Sequence, residues 1–221
     1  MNQILDQFLN FQVMGAAFPT LMAGLLTTAE ICVVVILLGL AGGLGVALGS
    51  LHSSRWVRWP SIVLVDFFRA IPPLVLLIFV YSGLPFAGIR LSPFAAVVIA
   101  FLLNNSAYYG EVYRAGILSI GKGQFEAARS TGLTRAQTML YVVLPQAVRN
   151  VLPDLLSNTV EVVKLTSLAS VVSLGELLYA ADMARSVTYN ASPVVMAAAV
   201  YLVILWPLVR LVSRFERRLS L

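Results

Sequence analysis

Charged residues, cysteine and histidine are all scarce in this 221-residue chain. Only 11% of the residues are charged, and the chain has one cysteine, Cys32, and one histidine, His52. A single cysteine excludes an internal disulfide framework. One cysteine and one histidine supply neither a metal-ligand cluster nor a nucleophile with its base. We therefore predict no catalytic residues and no metal site.

Apolar residues, by contrast, make up 59% of the chain, and its mean hydropathy is +0.89. This is too apolar for a soluble domain and predicts an all-α integral membrane protein. The net charge is +5, but the basic residues collect in loops and at the C-terminus, which is typical of topology signals rather than of nucleic-acid binding. The N-terminal sequence MNQILDQFLNFQ has neither the basic head nor the cleavage site of a secretory signal peptide.

Five apolar segments reach the length of about 20 residues that a helix needs to cross a bilayer. The predicted transmembrane helices cover about residues 20–51, 61–84, 92–116, 149–179 and 192–212. We predict a single membrane domain over residues 20–215, preceded by an interfacial leader at 1–19 and followed by a basic tail at 216–221. Between the last two spans, residues 182–190 are predicted to form a polar loop.

The basic residues indicate which side of the membrane each end of a five-span chain lies on. By the positive-inside rule, the face with most of them is cytoplasmic, so the N-terminus is predicted outside and the C-terminus inside. A count of four or six spans would scatter these charges over both faces. The cytoplasmic set is Arg55, Arg58, Arg114, Lys122, Arg129, Arg135, Arg149, Arg210, Arg214, Arg217 and Arg218, against Arg90 and Arg185 outside.

Prolines and glycines predict how the spans pack. Pro72 and Pro73 remove two adjacent backbone donors from the second span, and unwound backbone survives at membrane depth only where protein or a water-filled cavity covers it. The first span should pack closely on a neighbour through two small-xxx-small pairs, Gly39 with Gly43 and Gly45 with Gly49.

The segment from Gly123 to Pro145 is the longest that is too polar to lie in lipid. It predicts a helix over 123–131 that ends at Gly132 in a left-handed conformation. Thr134 and Gln137 have the spacing of a capping box for a second helix, which Pro145 is predicted to end. The product is a compact pair of helices at the membrane surface.

Gly116, Gly121 and Lys122 match the first part of a phosphate-binding loop. Position 123 is glycine where that motif needs serine or threonine, and a membrane helix precedes it where a strand is required. We therefore predict no nucleotide site in this chain.

The polar segment resembles the EAA loop of ABC importer permeases. That loop has Glu-Ala-Ala, then Gly, then Ile-x-Leu-Pro, and here the matching residues are Glu126, Ala127, Ala128, Gly132, Val142, Leu144 and Pro145, with Val142 replacing the usual Ile. FRAIPPLVLLIFVYSGLP from Phe68 looks like the second-span signature of polar-amino-acid permeases, in which Gly-Thr-Pro-Leu commonly occupies positions 70–73. AYYGEVYRAGILSIGKGQFEAA, LPQAVRNVLP and KLTSL extend the likeness to about residues 20–215.

The resemblance implies a type I ABC importer permease with the five-helix fold of methionine importers. We call residues 117–150 the coupling segment. In that family the EAA motif of this cytoplasmic segment forms the coupling helix, which docks into a groove of a separate ATPase. Glu126 is expected to contact a basic group of the ATPase, Ala127 and Ala128 to allow close approach, and Gly123 and Gly132 to permit the flanking turns.

The family further implies the partners, the location and the activity. The partners are a second permease subunit, identical or paralogous, two ATPase subunits that bind ATP and Mg²⁺, and a soluble substrate-binding protein. This chain is expected to carry no cofactor and to lie in the bacterial inner membrane as a multi-pass subunit. The implied activity is import of a polar amino acid or a derivative by alternating access. The alternatives are a proton-coupled secondary transporter and a structural membrane scaffold.

Ionisable and polar residues within the spans are candidates for substrate handling, because such groups are costly in a membrane. A zwitterion needs acceptors for its ammonium group and donors for its carboxylate, which Glu161, Asn104, Tyr108, Thr166 and Ser167 could supply. Position 161 is more often apolar in the resembling family, so its charge is expected to mark substrate choice.

The same groups also have purely structural interpretations. Glu161 and Lys164 are three residues apart and could pair only with each other, as could Asp66 with Arg69, and the polar groups could serve only to hold helices together. Glu30 could line an outer vestibule for a cationic substrate or bond to a neighbouring helix.

Overall fold

The computed structural model describes residues 2–219, with side chains for residues 4–215. All regular structure in this part of the chain is helical and none is β-strand, which confirms the predicted all-α class. The helices are α1 Asn2–Phe8, α2 Phe11–Ser50, α3 Arg55–Ala70, α4 Pro73–Ile78, α5 Pro93–Ser119, α6 Lys122–Ser130, α7 Arg135–Gln137, α8 Leu144–Leu165, α9 Leu177–Thr188 and α10 Ser192–Leu219. Phe79–Gly83 and Thr138–Val143 are π-helical, and Leu84–Ala87 and Thr166–Val172 are 3-10 turns.

Three helical stretches are long and apolar enough to cross a membrane: Ile4–Ser50, Arg135–Val172 and Ser192–Phe215. The bent pair Arg55–Ala70 and Pro73–Ala87 makes a fourth if it is counted as one span. Helix α5 falls outside this set because Asn104, Asn105 and Ser106 lower the hydropathy of its middle. The described residues therefore support three or four spans by length and composition.

The predicted break at the paired prolines is confirmed. Helix α3 ends at Ala70, Ile71 is extended (φ −80°, ψ 128°), and α4 starts at Pro73. A residue before proline prefers the extended region, and proline fits the first position of a helix because its missing N–H needs no partner there. The helix is therefore interrupted at the paired prolines, as predicted.

Two predicted boundaries differ from the structure. Helix α2 begins at Phe11 and passes through Pro19, so the leader does not end at a helix boundary. The predicted polar loop at 182–190 is wrong, because Leu177–Thr188 is helical and ends at Tyr189, which is left-handed with φ 50°. For the predicted tail at 216–221, α10 reaches Leu219, and the side chains of the tail and residues 220–221 lie outside the described part.

The chain divides into two compact units, each made of three segments. The first unit comprises the segment that ends at Ile36, Pro72–Phe101 and Val160–Arg210. Its core joins Ala17 and Leu21 of α2, Leu177, Ala180 and Ala181 of α9, and Ala197 of α10.

The second unit comprises Leu37–Ile71, Leu102–Thr159 and the segment that begins at Leu211. One of its clusters packs Tyr109 of α5 on Val151 and Leu155 of α8. Helices α5 and α8 therefore form its centre.

Close packing at the predicted glycine pairs is found at three of the four positions, all within the second unit. A Cβ atom added at Gly43 would lie 2.6 Å from Tyr109 Cβ and 2.9 Å from the backbone nitrogen of Gly110. At Gly39 it would lie 3.2 Å from the Tyr109 ring, and at Gly49 2.5 Å from Ser61 Oγ. Gly45 has no such neighbour within 4 Å. Of the other three, Gly39 and Gly43 lie against Tyr109 of α5, whereas Gly49 lies against Ser61 of α3.

Candidate coupling site and substrate-handling residues

The coupling segment forms a helix whose motif residues divide between surface and core. Helix α6 spans Lys122–Ser130, and within it Glu126 and Ala127 are exposed while Ala128 is buried. Glu126 has no ion-pair partner among the described residues. Gly123 lies inside α6, and the turn before the helix is made instead at Gly121, which is extended. The exposed carboxylate is therefore available to another molecule.

The turn after α6 has the predicted conformation. Gly132 adopts φ 87°, in the left-handed region that glycine populates without steric cost. Its N–H donates to the carbonyl of Arg129, at 3.1 Å, and closes the turn. The guanidinium of Arg129 donates to the carbonyl of Leu133 at 2.5 Å, which ties α6 to the residues that follow.

The predicted capping box is also present. The backbone N–H of Gln137 donates to Thr134 Oγ1 at 3.3 Å, and the N–H of Thr134 donates to Gln137 Oε1 at 2.9 Å. Two backbone donors that a helix start would leave unpaired are thereby satisfied.

The prediction that Pro145 ends this helix is wrong. The chain continues from α7 through the π-helical turn Thr138–Val143 into α8, and Pro145 is the second residue of α8. Proline normally breaks a helix because it lacks an N–H and its ring meets the carbonyl four residues earlier. A wider π turn directly before the proline relaxes both constraints, so the helix persists.

Apolar contacts hold the coupling segment on the rest of the second unit. Phe125 of α6 and Met139 of the π turn pack on a buried cluster of Ile117, Ile120, Val143 and Ala147. The segment is thus anchored on one side, while Glu126 and Ala127 remain exposed on the other.

In the second unit, Asn104 is buried with one polar atom unpaired. Its side chain is 1% exposed, and its Nδ2 donates to the carbonyl of Phe68 at 2.9 Å, but its Oδ1 has no hydrogen-bond partner among the described residues. The Arg69 guanidinium lies 5.5 Å from the ring centre of Tyr108, which is 37% exposed. The described residues show no ion pair between Arg69 and Asp66, so that predicted pairing is wrong.

Neighbouring polar groups of α5 bond to α8. Tyr109 Oη and Thr159 Oγ1 are 2.8 Å apart, and Thr159 donates to the carbonyl of Leu155, so Tyr109 is the donor between them. Asn158 Nδ2 donates to Asn105 Oδ1 at 3.4 Å. These bonds stabilise helix packing, as the structural alternative predicted for polar residues of this helix.

In the first unit, Glu161 and Lys164 form the predicted ion pair. Their side chains are 58% and 48% exposed, so both groups can exchange this partner for another. Thr166 is buried and donates to the carbonyl of Val163, while Ser167 donates to that of Lys164. Glu30 is exposed and has no ion pair among the described residues. Glu161, Lys164, Thr166 and Ser167 therefore lie on consecutive helical turns at the end of α8 and just after it. Glu30 lies on α2, far from them in the sequence.

Glu176 has a role that the sequence analysis missed. Its side chain is fully buried in the first unit and caps α9 by accepting from the backbone N–H groups of Leu178 at 2.8 Å and Tyr179 at 2.7 Å. Tyr201 Oη donates to the same carboxylate at 3.3 Å. A glycine followed by a carboxylate before an apolar run is the only sequence signal for this cap, and glutamate is not a favoured capping residue.

Comparison with known proteins places this architecture among transport proteins. The family model described as "Binding-protein-dependent transport system inner membrane component" matches residues 39–221. The chain is 36% identical to the probable glutamine ABC transporter permease GlnM of Bacillus subtilis over 96% of its own length and 99% of that protein. It is 35% identical to the glutamine transport system permease GlnP of Escherichia coli strain K12, with 93% and 95% covered.

Solved structures agree on the fold. A crystal structure of an amino acid ABC transporter with histidines superposes with a TM-score of 0.86 at 36% identity, covering 94% of this chain and 98% of that one. The MetNI methionine ABC transporter, in an inward-facing conformation, gives a TM-score of 0.76 at 19% identity, with 90% and 96% covered. The second likeness concerns the fold alone, and it confirms the predicted methionine-importer-like architecture.

Proposed function

This chain belongs to the family of inner membrane components of binding-protein-dependent transport systems, and on that premise we propose that it is the permease subunit of an ABC importer for a polar amino acid or a close derivative. The observation that carries the proposal is the near full-length similarity to relatives named as amino-acid permeases. Family membership makes the chain a transport subunit rather than an enzyme, and it favours the ABC importer over a proton-coupled secondary transporter.

The proposed topology has five spans, with the N-terminus outside and the coupling segment and C-terminus in the cytoplasm. It counts α5 as a span, which its 27 residues permit, since a helix of that length reaches about 40 Å. The bonds of Asn104 and Asn105 to neighbouring helices lower the cost of these amides within the membrane. Residues 20–215 form the permease domain in this arrangement.

The proposed complex pairs this chain with a second permease subunit, identical or paralogous, and with two ATPase subunits and a soluble binding protein. ATP and Mg²⁺ bind to the ATPases, whose closure moves the coupling segment and opens the permeases outward. The exposed, unpaired Glu126 beside the small Ala127 supports docking of α6 on an ATPase. The buried contacts of Phe125 and Met139 support transmission of that movement to α5 and α8.

Reversing the charge of Glu126 tests the docking role. We expect Glu126→Lys to lower ATP-driven uptake at least about tenfold, because losing an interfacial charge pair and adding repulsion costs more than the 1.4 kcal/mol that equals a factor of ten. Uptake by proteoliposomes and the amount of ATPase that co-purifies measure the effect. Gln124→Lys adds a positive charge to the same helix and should change both less. Normal assembly and uptake in Glu126→Lys would refute the docking role.

Each unit contributes a proposed set of substrate-handling groups. In the second unit these are Asn104, whose buried Oδ1 is a vacant acceptor for an ammonium group, and Tyr108. In the first unit they are Glu30, the exposed pair of Glu161 and Lys164, and the hydroxyls of Thr166 and Ser167, whose oxygens can still accept hydrogen bonds.

Neutralising Glu161 tests the first-unit group. We expect Glu161→Gln to change the KM for the transported amino acid, or the preference between cationic and neutral amino acids, by about tenfold, since one charge-assisted bond is worth about 1.5–3 kcal/mol. Thermal stability should hardly change, because an exposed pair contributes little to it. Asp182→Asn breaks a similarly exposed ion pair with Arg185 in the same unit and is the matched control. Equal transport effects in both variants would contradict the assignment.

A further inference from the structure

A groove of about 410 Å³ lies in the coupling segment, next to α6. Phe125, Arg129, Arg135, Thr138 and Met139 line it. Two of these five side chains are guanidinium groups, two are large and apolar, and none is acidic. The groove therefore offers positive charge beside apolar walls.

The two arginines are not neutralised within the chain. Neither belongs to an ion pair among the described residues. Arg129 donates from Nη1 to the backbone carbonyl of Leu133, which fixes the guanidinium group at the groove but leaves its charge. Arg135 begins α7 and is exposed. An anion entering the groove would meet one fixed and one adjustable guanidinium group.

Thr138 adds a second, independent sign of a ligand. Its side chain is only 2% exposed, and its Oγ1 has no hydrogen-bond partner among the described residues. Helical hydroxyls usually donate to a carbonyl three or four residues earlier, as Thr159 and Ser130 do here. A buried hydroxyl without a partner is costly, and Thr138 lies in the wall of the same groove.

We propose that this groove binds an aspartate or glutamate side chain of the ATPase subunit, with an adjacent apolar side chain of that subunit packed on Phe125 and Met139. Guanidinium groups pair with carboxylates through two parallel hydrogen bonds, and a threonine hydroxyl can donate a third. This inference rests on the proposed function, because it needs an ATPase at the face that carries α6.

The groove complements Glu126 on the same short helix. Glu126 presents a negative charge, and Arg129, three residues later, contributes a positive charge to the groove. Charges of both signs on one docking helix fix its orientation, because a reversed helix would place like charges together. The ATPase surface is therefore expected to carry a basic group for Glu126 and an acidic group for the arginines.

Carbodiimide coupling tests the inference directly, because this reagent joins an amine to a carboxylate without a spacer. In the intact permease–ATPase complex, Arg135→Lys should give a covalent adduct that mass spectrometry maps from position 135 to an aspartate or glutamate of the ATPase. Arg55→Lys is the matched control, since Arg55 is exposed, is predicted on the same face and lies outside both the groove and the coupling segment. An assembled Arg135→Lys complex with no more adduct at the substituted position than the control, or lipid bound in the groove instead, overturns the proposal.

Affinity measurements separate this inference from the proposed function. Arg135→Glu should weaken ATPase binding about tenfold in a pull-down titration, whereas Arg55→Glu, outside the coupling segment, should not. Thr138→Val should weaken it severalfold without lowering the melting temperature of the permease alone. If Glu126→Lys releases the ATPase but both groove variants bind it normally, the groove assignment fails and the importer stands. If no ATPase binds the native chain, both fail.

Discussion

Gly43→Ala is expected to destabilise the protein by about 3 kcal/mol, near the upper end of what overpacking costs. The added Cβ would lie 2.6 Å from Tyr109 Cβ and 3.0 Å from the Tyr109 carbonyl carbon. These atoms cannot rotate away as the end of a flexible side chain could, so α2 or α5 must move. A fall in melting temperature of about 10 °C in detergent would report this loss.

Gly45→Ala is the matched control for that prediction. Gly45 lies on the same helix two residues later, and a Cβ there would have no neighbour within 4 Å. Alanine also favours helix over glycine by up to about 1 kcal/mol. We therefore expect unchanged or slightly higher stability. Equal melting temperatures for Gly43→Ala and Gly45→Ala would show that α2 and α5 do not pack as closely as described.

Glu176→Ala is expected to cost about 3 kcal/mol. The substitution removes both acceptors of the α9 cap, so the N–H groups of Leu178 and Tyr179 lose their partners. Each unpaired buried group costs about 1–3 kcal/mol, although rearrangement recovers part of this. The effect is measured as the melting temperature of the purified permease, taken from the fraction of protein that remains monodisperse after heating.

Two further variants grade the effect of Glu176. Glu176→Gln keeps one acceptor but turns an NH₂ group towards the second backbone N–H, so its loss should be intermediate. Tyr201→Phe removes the hydroxyl that donates the 3.3 Å bond to the carboxylate but leaves the α9 cap intact, and it should cost about 1 kcal/mol or less. If Tyr201→Phe proved as damaging as Glu176→Ala, the carboxylate would matter for Tyr201 and not as a helix cap.

Features of the coupling segment that depend on neighbouring residues could be predicted from the sequence. The capping box of Thr134 and Gln137 and the left-handed Gly132 follow from backbone preferences within a few residues. The bend at Pro72 and Pro73 has the same local origin. These predictions succeed because no distant contact is needed to decide them.

Features that depend on distant contacts could not be predicted. Helix α9 begins where Glu176 is buried against α2, with Thr28 accepting from the N–H of Leu177 at 3.1 Å. The polar residues from Asp182 onward indicated a loop, but the packing of Ala180 and Ala181 makes them helical. Arg69 pairs with the ring of Tyr108 on another helix rather than with Asp66, three residues away on its own helix.

The candidate site shows the same division. Motif spacing predicted Glu126 and the Glu161–Lys164 pair, because both lie on single helices. The basic groove beside α6 joins Phe125 and Arg129 to Arg135, Thr138 and Met139 beyond the turn at Gly132. Whether these side chains meet depends on the angle between two helices, which residue spacing does not determine.

The π turn at Thr138–Val143 determines the direction in which the preceding α7 points around the axis of α8. An α-helix rotates by about 100° per residue, and a π turn holds one residue more than an α turn. Compared with an unbroken α-helix, Arg135 and the capping box of Thr134 and Gln137 are therefore rotated by about 100° around the axis of α8. Six uncharged residues, Thr138–Val143, therefore decide which way Arg135 and α7 face at the surface of the second unit.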